Sequence, residues 1–258
     1  MPLIKTDEEI KIMREGGKIL STALSAAIKA VRPGVSIREL DEVAEATIRA
    51  AGAVPSFKGY RSSKKEPAFP TTLCISVGPE VVHGSADRNI KLKIGDIVSL
   101  DIGCEYKGLF TDMAATVPVG EVSTEAKDLM RVTREALFAA VKVAKPKNDV
   151  RDISAAIDGY IKPHGYGIVT ALVGHGVGHA VHEAPNVPNY FSNRAPSVPL
   201  KPGMCIAIEP MITLGSGEVV TADDGWTVIT EDGSLAAHFE MTIAITKNGH
   251  EILTPLPV

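Results

Sequence analysis

The sequence lacks any apolar run that could span a membrane, since its longest runs are strand-sized and a bilayer needs roughly 20 residues. It is also poor in cysteine. The three cysteines, Cys74, Cys104 and Cys205, are scattered and contain no C-x-x-C pair, which argues against structural disulfides and a thiolate zinc site. The N-terminus leads into acidic residues 7–9 and not into a signal peptide. These absences predict a soluble cytoplasmic protein.

An excess of positive charge is missing as well. Lys and Arg number 27 against 31 Asp and Glu, so the net charge of −4 provides no basic field for nucleic acid or acidic lipid. We therefore expect no direct nucleic-acid role and no membrane partner. A monomer is the expected state, although no feature of the sequence determines it. A hydrophobic content of 45% over 258 residues is ordinary for a globular chain and can form a substantial core.

What the sequence does contain is a weak internal repeat. Segments 31–40 and 144–153 each end one helix at a basic residue and a proline, then start another at a capping residue, Ser36 or Asp149. Ser36 with Glu39 also has capping-box spacing. Amphipathic patterns predict long helices before both segments, over about 6–31 and 124–144.

Strand-like segments continue the repeat in the same order. Segment 93–101 resembles 201–209, and 110–113 resembles 238–241. The pattern predicts an ancient duplication of helix-helix-strands, with the strands joined in one curved sheet about an approximate two-fold axis. We expect a single domain over 1–258 with internal halves of about 6–120 and 121–250.

The repeat places acids in matching positions, Asp101 with Glu209 and Asp112 with Glu240. Alternate side chains of a strand share a face, so these acids lie among small residues, with large apolar residues on the other face. A two-fold axis would bring the four carboxylates together, and they stay ionised there only beside a cation. Mostly oxygen ligands with one imidazole suit paired Mn, Fe, Co or Zn ions. The alternative is acids at strand ends that pair with Lys or Arg.

Segment 172–183 places three of the seven histidines within eight residues. Glycines flank His175, so the backbone can come close to whatever the imidazole contacts. The segment has neither G-x-G-x-x-G nor a P-loop lysine, and H-E-x-x-H is absent, which excludes a nucleotide loop and the common zinc-protease helix. An inert polar loop remains the alternative. His83 aligns in the repeat with His182, which pairs two more polar groups across the axis.

Five motifs together resemble methionine aminopeptidase in its short prokaryotic type I form, over essentially the whole chain. They are Ser99-Leu-Asp-Ile-Gly103, Phe110-Thr-Asp112, Gly174-His-Gly-Val-Gly-His-Ala-Val-His-Glu183, Ile208-Glu-Pro-Met211 and His238-Phe-Glu240. The resemblance implies the α+β pita-bread fold, with a pseudo-two-fold repeat and a largely antiparallel sheet. It also implies a metal-dependent aminopeptidase that removes methionine from nascent polypeptides at the ribosome, with a preference for a small second residue.

The resemblance further implies a role for each site residue. Two divalent ions (Co, Mn, Fe or Zn) would be held by Asp101, Asp112, His175, Glu209 and Glu240, with Asp112 and Glu240 bridging them. The catalytic residues would be His83, His182 and Glu209, and the two histidines would also contact substrate. The methionine side chain would contact Phe57, Tyr60, Cys74 and Trp226, although core packing also explains such aromatics. The chain departs from the commonest pattern at Phe57, at Val181 and in a polar insert, about 61–69.

Two other functions remain open. A proline-specific aminopeptidase or a creatinase shares the fold and the ligands, but those relatives carry a large N-terminal domain. A non-catalytic homologue that binds ribosomes or RNA would lose metal ligands and would gain from positive charge. The complete ligand set and the negative net charge favour the enzyme.

Overall fold

The computed structural model describes residues 3–61 and 67–257, so most of the predicted polar insert lies outside the described residues. In the described residues, four α-helices alternate with groups of strands in the predicted order of helix-helix-strands, twice, and a 3-10 turn (Lys162–His164) follows the fourth helix. Among the described residues, no helix has the length and apolar character needed to cross a membrane. The helices are α1 (Asp7–Ala30), α2 (Ile37–Ala50), α3 (Thr124–Val143) and α4 (Val150–Ile161).

Side-chain caps fix where the helices begin. Thr6 forms a capping box at α1, and Asp149 forms another at α4, which satisfies backbone N–H groups that have no partner within the helix. The predicted box at α2 is wrong. Ser36 accepts a hydrogen bond from the backbone N–H of Arg38, while the side chain of Glu39 is drawn away by Arg32, at 2.8 Å.

A nine-stranded antiparallel sheet has the order β1-β4-β5-β14-β9-β7-β8, with β2 beside β4 and β15 beside β14. Two small sheets have the orders β13-β10-β6 and β11-β12-β3. The strands are β1 (Val54–Pro55), β2 (Leu73–Val77), β3 (Glu80–Val82), β4 (Ile97–Tyr106), β5 (Leu109–Pro118), β6 (Gly167–Ile168), β7 (Gly174–Gly176), β8 (Glu183–Val187), β9 (Cys205–Ile208), β10 (Met211–Thr213), β11 (Val219–Thr221), β12 (Val228–Thr230), β13 (Ala236–His238), β14 (Glu240–Ile245) and β15 (His250–Ile252).

The strand order confirms the predicted symmetry. Strands β4 and β5 form an antiparallel pair, β9 and β14 form its counterpart, and β5 pairs with β14 where the two halves meet. One sheet therefore contains the matched strands of both halves, and the four acids follow the repeat about this central pair.

The two faces of the sheet have opposite character. One row across four neighbouring strands is wholly apolar and almost fully buried, and it belongs to the large core that the helices complete. The row consists of Ile102, Met113, Met241 and Ile208. Since side chains alternate along a strand, the neighbouring positions point to the other face, and these positions carry the acids.

Candidate metal centre

The register of the sheet brings the predicted acids together. Ala114 is the cross-strand partner of both Asp101 on β4 and Glu240 on β14, so the two carboxylates flank one methyl group on the same face. Asp112 lies two residues before Ala114 and faces Gly103 across the ladder. The small side chains that the sequence places beside the acids therefore leave space between the carboxylates.

His175 enters the same face from β7. Its partner on β9 is Ala207, two residues before Glu209. The imidazole Nδ1 lies 2.9 Å from the carbonyl oxygen of Gly176, which can only accept, so Nδ1 carries the proton. The lone pair of Nε2 is then free, and Nε2 lies 3.4 Å from Oε1 of Glu209.

The glycines beside His175 have a different purpose from the predicted one. A Cβ atom at Gly176 would lie 2.1 Å from the carbonyl oxygen of Ala184, and one at Gly174 would lie 2.5 Å from that of Ala207. The missing side chains at Gly174 and Gly176 therefore allow the backbones of the adjacent strands to pack closely. They are not needed to bring a ligand close to the imidazole.

Burial dominates the electrostatics of the centre. Burial raises the pKa of Asp101 to about 7 and that of Glu209 to about 8. Burial, followed by repulsion from the neighbouring carboxylates, raises the pKa of Asp112 and that of Glu240 far above the usual range. Burial also lowers the pKa of His175 to about 3. The imidazole is therefore neutral, and the carboxylates resist ionisation as long as no cation compensates them.

The donor set fits divalent cations. Asp101 Oδ1, Asp112 Oδ1 and Glu240 Oε1 are buried, and each has no hydrogen-bond partner among the described residues. Donor atoms of Asp112, His175 and Glu240 lie within 4.8 Å of one another, the spacing of a shared ion. The alternative of acids at strand ends paired with Lys or Arg is wrong, because Asp101, Asp112 and Glu240 are all buried. Unpaired buried oxygens without a cation would be costly.

All the predicted site residues line one cavity of about 440 Å³. His83 and His182 face it together with the five candidate ligands, and burial lowers the pKa of both imidazoles, to about 4 for His83. His83 has a φ of 61°, a left-handed conformation that non-glycine residues rarely adopt. The hydroxyl of Tyr60 lies 3.0 Å from Nδ1 of His182.

The rest of the cavity wall is apolar. Phe57, Phe69, Cys74 and Val181 form a buried cluster, and Tyr60 and Trp226 pack against it. Phe69 meets Trp226 edge to face, with ring centroids 5.4 Å apart. The same cavity therefore combines a polar, acid-rich region with an apolar one, the usual composition of a site for a substrate that is partly hydrophobic.

Residues 11–247 match metallopeptidase family M24. The chain belongs to this family. The methionine aminopeptidase of Clostridium perfringens is 46% identical over 255 residues, which are 98% of this chain and 99% of the relative. The crystal structure of methionine aminopeptidase from Thermotoga maritima has a TM-score of 0.91 at 42% identity, and the match covers 97% of this chain and 98% of that one.

A prolidase from Pyrococcus furiosus shares the fold at lower similarity. Its TM-score is 0.79 at 28% identity, and the match covers 99% of this chain but 66% of that one. Together these similarities confirm the predicted pita-bread fold, the resemblance to methionine aminopeptidases and a metallopeptidase that uses divalent cations.

Phe69 and His238 lie at this M24 site although the sequence analysis assigned them no role. Phe69 lies at the end of the polar insert and contacts Trp226. Because it is a single phenylalanine in a polar segment, no sequence pattern indicates that it lines the cavity. His238 was recognised as part of a motif but received no role. Its Nε2 lies 3.6 Å from Oε2 of Glu209 and 4.0 Å from Oε2 of Glu240. The signal was present, because His238 stands two residues before Glu240 and strand alternation places both on one face.

Proposed function

We propose that this protein hydrolyses the peptide bond that follows an N-terminal methionine. The observation that carries the proposal is that five candidate metal ligands, two histidines with lowered pKa values and an aromatic wall line one cavity. The relatives of similar length bear the name methionine aminopeptidase. We assign the activity to a single catalytic domain that spans the chain.

The five side chains would hold two divalent ions, which are Co, Mn, Fe or Zn by donor chemistry. Asp112 and Glu240 would bridge the ions, Asp101 would chelate one, and His175 with Glu209 would complete the other. The ions supply a Lewis acid that polarises the scissile carbonyl and makes a water molecule nucleophilic at neutral pH. Because His175 is neutral and Nδ1 carries its proton, Nε2 is prepared as a ligand without prior deprotonation.

His182 is suited to donate a hydrogen bond to the oxyanion that develops on the scissile carbonyl. When the hydroxyl of Tyr60 donates to Nδ1 of His182, the imidazole proton is held on Nε2. A neutral donor positioned in advance stabilises the transition state without reorganisation. Glu209 accepts the proton of the attacking water and delivers it to the departing amine, and His83 assists at the scissile nitrogen.

The apolar wall would select the first residue. Methionine is unbranched and polarisable, and its thioether makes favourable contacts with aromatic edges. Phe57, Tyr60, Cys74 and Trp226 would contact this side chain, while the free α-amine would lie near Asp101. A small second residue would fit best. In the cell the substrates would be nascent polypeptides at the ribosome, processed in the cytoplasm by the monomer.

Turnover of a peptide series tests the proposal. Stripped protein reloaded with each metal should cleave Met-Ala-Ser and leave an Xaa-Pro peptide intact. Asp112→Asn removes a bridging charge at nearly constant shape and should abolish turnover, whereas Asp158→Asn alters a buried acid outside the cavity and should not. Wild-type turnover by Asp112→Asn would refute the ligand assignment, and cleavage of Xaa-Pro alone would favour a prolidase.

A further inference from the structure

His238 is an imidazole without a described partner at the metal centre. Its side chain is 1% exposed, and neither ring nitrogen forms a hydrogen bond with any residue in the described part of the chain. A buried imidazole lone pair that has no partner is costly, because its lost contact with water is not replaced. The position of His238 therefore requires a further group close to the ring.

The backbone holds His238 firmly in place. Its N–H donates to Oγ1 of Thr116, and its carbonyl accepts from the same hydroxyl, both at 2.8 Å. His238 ends β13 of a small sheet, whereas Glu240 begins β14 of the large one. Phe239, between them, turns into the hydrophobic core. The chain thus directs His238 and Glu240 to the same side.

The distances exclude hydrogen bonds and fit a shared ion. Nε2 of His238 lies 3.6 Å from Oε2 of Glu209 and 4.0 Å from Oε2 of Glu240. The donor–acceptor distance of an N–H···O hydrogen bond is at most about 3.2 Å. Donors about 2.1 Å from one ion are separated by about 3.0–3.4 Å at angles of 90–109° and by up to about 4.2 Å when opposite each other. Glu209, His238 and Glu240 also group within 4.8 Å.

We propose that His238 is a sixth protein ligand, which gives the ion at Glu209 two imidazoles. The carboxylate of Glu209 has Oε1 toward His175, at 3.4 Å, and Oε2 toward His238, at 3.6 Å. Glu209 therefore lies between the two rings. A second imidazole shifts the preference of this site from Mn toward Co, Fe and Zn, since nitrogen donors suit those ions better. This inference rests on the proposed metal centre.

Cobalt-loaded protein provides a test that does not depend on turnover. Imidazole N–H protons of ligands to Co²⁺ give strongly shifted, solvent-exchangeable proton NMR signals, and each bound ring contributes one. The wild type should give two such signals, one from His175 and one from His238. His238→Gln and His238→Phe should each retain one. Calorimetry should show that Co²⁺ binds at least about tenfold more weakly to His238→Phe. His164→Gln, a histidine outside the cavity, is the matched control and should behave as wild type.

A single shifted signal in the wild type, retained in His238→Gln, would overturn the proposal. This count holds even when a variant folds poorly, because it is made on the wild-type protein. A single signal with weaker binding in His238→Phe would also overturn it, since His238 would then only orient Glu209. A wild-type protein that binds no Co²⁺ would contradict the metal centre itself, which separates the two failures.

Discussion

Replacing Glu209 with Gln should stabilise the metal-free protein in alkaline solution. Burial raises the pKa of Glu209 from 4.5 to about 8 when no cation is bound. A carboxyl whose pKa is raised on folding contributes full stability below the unfolded pKa and loses it as the pH rises to the folded pKa. Between these pH values the unfolded chain releases the Glu209 proton, whereas the folded chain retains it. Gln has no proton to release, so the variant escapes this loss.

The size of the effect follows from the two pKa values. At about 1.4 kcal/mol per pH unit, the Glu209 carboxyl costs the folded state about 5 kcal/mol near pH 8.5 and about 1 kcal/mol near pH 5. We therefore expect Glu209→Gln to raise the free energy of unfolding by about 4 kcal/mol more at the higher pH. The neighbouring acids add to the gain, because the Glu209 charge raises the pKa of Asp101 and Asp112.

Urea unfolding in a chelator at the two pH values measures this difference. The exposed Glu218, changed to Gln, serves as the control and should show no such gain. With metal restored the sign should reverse, since an ion that binds only the folded state stabilises the wild type more than the variant. An equal gain at both pH values, or a loss at both in the chelator, would refute the electrostatic reasoning.

The remaining predictions concern catalysis and binding. Tyr60→Phe should lower kcat about tenfold and leave KM within about twofold, because the hydroxyl that keeps the His182 proton on Nε2 is lost. Steady-state kinetics in which only KM changes would contradict this role. Gly103→Ala should raise KM for Met-Ala-Ser several-fold, since its Cβ would lie 2.3 Å from Oγ of Ser56 and 2.7 Å from a ring carbon of Phe57. An unchanged KM would contradict a contact between this ring and methionine. Co²⁺ affinity should fall at least about tenfold from about pH 8 to about pH 6, because protons then compete with the metal at Asp101, whose pKa is about 7, and at Glu209, whose pKa is about 8. Calorimetry that shows the same affinity at both pH values would exclude this competition.

Local patterns were sufficient for the helices and for the four candidate acids. The buried positions of α1 and α3 follow the helical spacing of their apolar residues, and both helices end within one residue of the predicted limits. The repeat alone matches Asp101 with Glu209 and Asp112 with Glu240. It succeeded because a duplicated fold conserves which strand face points inward, and a face is a property of residue spacing alone.

Other features depend on contacts that no local pattern records. The side chain of Glu39 forms an ion pair with Arg32 and does not cap the helix, because the ion pair competes with the capping box. The glycines around His175 fit the carbonyls of neighbouring strands, a constraint that exists only after the sheet has formed. Phe69 became part of the apolar wall of the cavity only through its contact with Trp226, which is distant in sequence.

Alternation along a strand is a local rule, so residue spacing alone predicted the strand faces that carry the four candidate acids, whereas His175 joined them through the family resemblance. What surrounds these side chains depends on contacts between elements that are distant in sequence. His238 belongs to a different sheet from Glu240, and its distance to Glu209 depends on how β13 and β9 meet in space. Spacing along a chain fixes the direction of a side chain, whereas its neighbours are fixed by the packing of the whole fold.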